Sequence, residues 1–239
     1  MRSFVHFIPI LTFFVSVPFF VSLYRHWRRK PEALYLAWWA IGVATFGIGT
    51  FTEGATTILG WNPGIFKAWY ISGALLGGAP LAQGTIYLFF SNRIAHRLTA
   101  VLLLYITVAS VFVLLSPLDL SQVESYRLSG SVLEWQWVRL FSPVVNLYAV
   151  VFLIGGAIWS AIKYARSDRS LRDRMWGNIA IAVGAILPGI GGTATRAGYV
   201  EVLYVTEFVG LLLIWLGYNL MTRSTGRSIH EKQQALTAF

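Results

Sequence analysis

Long apolar runs, each about the length of a membrane-crossing helix, dominate this 239-residue chain. A hydrocarbon core about 30 Å thick takes about 20 apolar residues as one helix. Seven stretches meet that length: 4–24, 33–52 (with room to run on to 59), 65–90, 98–116, 144–162, 175–195 and 200–221. Charged residues are only 12% of the chain and apolar residues 56%, against about 25% and about 45–50% in soluble domains. Those proportions exclude an ordinary water-soluble globule, and they equally exclude a disordered chain. The expected fold class is all-α: a polytopic membrane bundle of seven transmembrane helices spanning 1–221. A polar tail, 222–239, follows and reads as frayed.

The net charge of +9 would suggest a nucleic-acid partner in a soluble protein. Here the cations sit in short clusters between the apolar runs, so the bilayer is the expected partner and nucleic acid is not. Arg25, Arg28, Arg29, Lys30, Arg93, Arg97, Lys163, Arg166, Arg169, Arg172, Arg174, Arg223, Arg227 and Lys232 fall on one side. That is 14 of the 19 Lys and Arg, leaving Arg2, Lys67, Arg127, Arg139 and Arg196 on the other. The positive-inside rule then places the N-terminus outside and the C-terminus inside, in a multi-pass cell-membrane protein. The first run has no small-residue cleavage site after it and its heavier basic cluster follows it, which fits a retained helix.

Two stretches suggest an internal repeat. Residues 47–54, Gly-Ile-Gly-Thr-Phe-Thr-Glu-Gly, align with 189–196, Gly-Ile-Gly-Gly-Thr-Ala-Thr-Arg, if one glycine is inserted. Gly84-Thr85-Ile86-Tyr87-Leu88 echoes Gly217-Tyr218-Asn219-Leu220. Parallel repeats 4–90 and 144–221, linked by the helix 98–116, give a 3 + 1 + 3 arrangement of the kind found in some transporters. Pro80 and Pro188 lie deep in their runs and are the candidate hinges or helix breaks. The glycines near them, Gly73, Gly77, Gly84, Gly177, Gly184, Gly191, Gly210 and Gly217, read first as close helix packing.

Ionisable residues inside spans are costly and mark function by default. Glu53, Lys67, Arg196, Glu201 and Glu207 all fall toward the outer side, and Glu207 lies about two turns inside its helix. One reading makes Glu207, Lys67, Arg196 and Glu53 a ligand- or ion-binding group at an outward-opening cavity. The plainer one pairs Glu53 with Lys67, and Arg196 with Glu201, as helix-end salt bridges. Trp38, Trp39, Trp69, Tyr70, Trp159, Trp215 and Tyr218 either wall a pocket for an apolar ligand or face lipid. The 117–143 segment reads as a lid or as part of an aromatic belt.

Several chemistries are missing. The chain has no cysteine, which removes thiolate metal sites and cysteine nucleophiles. Only His6 of the four histidines lies in a span, which speaks against bis-histidine haem, and H-E-x-x-H is absent. No catalytic or metal-ligating set emerges, and no cofactor can be named. Residues 70–88, and Leu203-Tyr204-Val205-Thr206-Glu207-Phe208-Val209-Gly210, resemble stretches of uncharacterised bacterial seven-helix membrane proteins. The resemblance implies seven helices and a bacterial inner membrane, and it implies no activity. The reading favoured is a small-solute or ion transporter or channel. The alternatives are a ligand-binding sensor, a pigment- or quinone-binding accessory subunit of a membrane complex, and a lipid-modifying enzyme. A homo-oligomer is compatible with all of them.

Overall fold

The computed structural model describes the backbone of residues 4–124, 127–167 and 171–237, with side chains as far as Thr222. The described chain is helical throughout apart from short connections. A 3₁₀ turn, Phe4–Phe7, leads into α1, Ile8–Arg29, with Pro9 in the first turn where a missing N–H costs nothing. Next come α2, Leu34–Leu59, and α3, Pro63–Trp69. Asn62 caps α3, accepting from the backbone N–H of Gly64 at 2.8 Å and of Ile65 at 3.3 Å. After α4, Ala79–Phe89, come α5, Asn92–Leu115, and α6, Phe141–Ala149. α7, Gly155–Ala165, α8, Arg172–Arg196, and α9, Val200–Thr237, complete the chain.

Six segments are long and apolar enough to cross a membrane: Phe4–Arg29, Leu34–Leu59, Asn92–Leu115, Gln136–Ala165, Arg172–Arg196 and Val200–Thr222. The chain is therefore a helical, multi-pass membrane bundle. The run 65–90 is built differently. It consists of α3, a π-helical turn Tyr70–Leu75, a non-helical turn at 76–78, and then α4. Gly77 sits at φ 44°, and Pro80 lies in the first turn of α4. Gly77 has a left-handed backbone that disfavours any side chain. A Cβ there would also stand 3.1 Å from the Asn146 side-chain oxygen. By contrast, α8 runs through Pro188 without a break. The tail, expected to fray, continues α9 as helix to Thr237.

Six elements close into a ring. α1 packs on α2, α2 on α4, α4 on the π turn Val150–Ile154 that joins α6 to α7, α7 on α8, α8 on α9, and α9 back on α1. α5 stands outside this ring against α4 and the π turn 70–75, with Leu102, Ala109 and Tyr105 packed on Val145 and Phe141 of α6. The α8–α9 seam depends on glycine. A Cβ on Gly184 would lie 2.6 Å from the Gly210 carbonyl oxygen, and one on Gly177 would lie 2.8 Å from that of Gly217. Backbones this close leave room for nothing larger. Fully buried Gln83 fastens α4 to its neighbours. Its Nε2 donates to Thr99 Oγ1 at 2.9 Å and to the Ala95 carbonyl at 3.2 Å, and its Oε1 accepts from the Tyr148 hydroxyl.

Residues 117–124 and 127–140 form a folded cap. Leu128, Val132, Leu133 and Val138 are buried together with Phe66, Tyr70 and Val113. Its outer face keeps Leu120, Trp137 and Leu140 exposed.

Candidate functional site

The ring interior is polar at one level and apolar at another. α2 carries Glu53 in its second half, away from the basic cluster that precedes it. Several close approaches seat this part of α2: Gly47 lies against Ser16, Gly54 against Ile10, and Gly49 backbone-to-backbone against Gly73. The last of these brings the π turn, and Trp69 just before it, up to the helix. The Trp69 indole N–H donates to Glu53 Oε1 at 3.0 Å. From the other side, Glu207 on α9 places its carboxyl within hydrogen-bonding reach of the Glu53 carboxyl. Glu53 is 5% exposed. The Oε2 atoms of Glu53 and Glu207 are both buried, and among the described residues no N–H or hydroxyl donor reaches either of them.

Other groups surround the pair. Tyr204, buried one turn before Glu207, lies in electrostatic reach of Glu53, Glu207, Glu201 and Arg127. The His6 ring meets Tyr204 edge-on at 6.1 Å, and its Nε2 stands 3.9 Å from Glu201 Oε1. Arg127 comes from the cap. It pairs with Glu124 at 3.0 Å and donates to the Thr195 carbonyl at the end of α8 at 2.7 Å, while its Nε is buried without a partner.

Of the four residues expected to bind together, the structure joins Glu53 and Glu207 and separates the other two. The Lys67 ammonium donates to the Leu114 carbonyl at 2.7 Å and to that of Ser116 at 3.3 Å. It thereby closes the carbonyl-rich end of α5, where a cation is favoured. Arg196 is exposed at the end of α8. Neither anticipated salt bridge forms. Glu53 faces a second carboxyl and an indole in place of Lys67, and Glu201 faces His6 in place of Arg196. Sequence reasoning missed Trp69 as a donor, and it missed Tyr204, His6 and Arg127 as neighbours. The available signal was depth. An indole at the start of one helix and a carboxylate near the end of the preceding one lie at the same level of the bilayer.

Toward the basic end, the ring lines a partly open cavity of about 50 Å³. All six walls contribute, among them Phe19, Trp39, Thr85, Ser160, Asn178 and Tyr218. Tyr218 is held by His26 Nδ1 at 2.8 Å. Buried Val43 on α2 and Leu211 on α9 fall between the cavity-lining residues and the glutamates along both helices. Among the described residues, no group of three or more His, Asp or Glu is placed to hold a metal ion. The chain matches no protein family, no curated protein and no solved structure.

Proposed function

We propose that this protein is a small-solute or ion transporter whose working site is the Glu53–Glu207 pair, with the site facing outward and the C-terminus inside. The observation that carries the reading is two carboxyl groups buried together inside a closed ring of helices. A helical scaffold alone needs no such groups, and burying them costs stability. Two further features support the reading. The broken element at 70–79 has the form of the discontinuous helices that build transporter sites. The cavity shares the ring interior with the pair, separated from it by the level of Val43 and Leu211. The placement of α5 outside the ring is what a 3 + 1 + 3 arrangement would require of its linker. A pigment- or quinone-binding role is less well served. An enclosed void of about 150 Å³ takes one benzene ring, and this cavity is a third of that.

The test is access. Single cysteines at Thr85, in the cavity, and at Thr206, next to Glu207 in the chain, are introduced into the cysteine-free chain and probed with a membrane-impermeant maleimide from each side. The transporter reading expects the cavity position to react from the inner side and the pair position from the outer side. Protection of both from both sides would make the bundle a sealed scaffold and sink the reading.

A further inference from the structure

Resting on the reading of the pair as the working site, we infer that its ion is a proton, held between the carboxyl groups of Glu53 and Glu207. The geometry leaves little else. Two carboxyl groups in hydrogen-bonding reach make a hydrogen bond only if one of them is protonated, because an ionised carboxylate is an acceptor only. Without that proton, two like charges would face each other with both Oε2 atoms buried and undonated. Low-dielectric surroundings make that arrangement very costly. A metal cation fits poorly. Hard cations collect about six oxygen ligands, whereas here an indole N–H already occupies Glu53 Oε1, and the described residues supply no third acidic or imidazole ligand.

The other charged and titratable groups facing the pair are identifiable. His6 comes from the segment before α1, Glu201 and Tyr204 from α9, and Arg127 from the cap. They lie on the side of the pair away from the apolar cavity, so protons reach it from that end. Loading adds one H⁺ from water to one carboxylate oxygen, forming one O–H bond and reducing the charge of the pair from two negatives to one. Unloading reverses the step. The unloaded pair is intolerable in the closed ring, so release is tied to water entering the site or to Arg127 moving in.

The experiment is infrared difference spectroscopy on the full chain in vesicles of phosphatidylethanolamine and phosphatidylglycerol. The wild type should show a carboxylic-acid C=O band that shifts in D₂O, disappears as pH rises, and does not respond to sodium chloride at fixed pH. In Glu53→Gln and Glu207→Gln the remaining carboxyl has lost its charged neighbour, so it should hold its proton at least tenfold more weakly. The double variant should lose the band. Trp69→Phe should move its frequency without abolishing it. Absence of the band in the wild type, its removal by sodium at fixed pH, or single variants titrating as the wild type does would each overturn the inference. The wild-type sodium test and Trp69→Phe decide the matter even if a glutamine variant fails to fold. The expected band in a protein sealed to maleimide from both sides would leave the proton site standing and remove the transport reading. Two-sided access without the band would do the opposite.

Discussion

Trp69 holds Glu53 through one indole N–H. Trp69→Phe keeps the ring and deletes the donor. It should cost about 1–3 kcal/mol, the range for leaving a buried polar group unsatisfied. Thermal unfolding in detergent checks this. A Trp69→Phe, Glu53→Leu double-mutant cycle should show non-additive losses, because the two side chains share one bond. Gly77 is the other residue whose chemistry is fixed locally. Gly77→Ala places a Cβ on a left-handed backbone and 3.1 Å from the Asn146 oxygen. The expected loss is about 1 kcal/mol or more, read in the same melt. Glu207 was legible in the sequence as an ionisable residue deep in an apolar run, and Glu53 only as one at the outer end of its run. Their pairing was not, since chain position gives depth along a helix and leaves the facing partner open. Lys67 shows the converse. Its depth suited Glu53, yet the open carbonyls at the end of α5 took its ammonium.

Among the elements, the α8–α9 seam makes the sharpest contrast between glycines on one helix. Gly184→Val must push against the Gly210 carbonyl at 2.6 Å, and such overpacking typically costs about 1–3 kcal/mol. Gly189→Val on the same helix meets nothing within 4 Å and should leave the melting temperature nearly unchanged. Equal losses in the two variants would show that close approach to α9 does not govern the seam. α5 depends on a different device. Gln83→Leu leaves the Tyr148 hydroxyl without its acceptor and removes two bonds to α5. Proteolysis or hydrogen exchange should then find α5 opening before the ring does. Apolar run length located six of the seven expected runs on helices long enough to cross a membrane, with ends within three residues for Arg172–Arg196 and Val200–Thr222 and a start eight residues late for Gln136–Ala165. The same criterion could not reveal the break at 76–78. Hydropathy stays high across a turn whose backbone polar groups are satisfied inside protein.

For the whole molecule, orientation is the first quantity to measure. Cysteine at exposed Asn62 should react in intact cells with an impermeant maleimide, and cysteine at exposed Lys30 should react only after lysis. The reverse pattern would invert the bundle and move the pair to the inner face. The closed ring also bears on chain length. The π turn Val150–Ile154 acts as a one-residue insertion in an otherwise continuous helix. Val145 and Ala157 are both buried. At about 100° per residue they would stand about 120° apart on an uninterrupted α-helix, and discounting one residue brings them to within about 20°. One surplus amino acid therefore keeps both halves of this wall facing the ring, with α4 packed on the turn itself. Deleting a single residue from 150–154 should therefore convert the turn to regular α-helix and be tolerated, whereas inserting a further residue should swing one half's buried face by about 100° toward lipid.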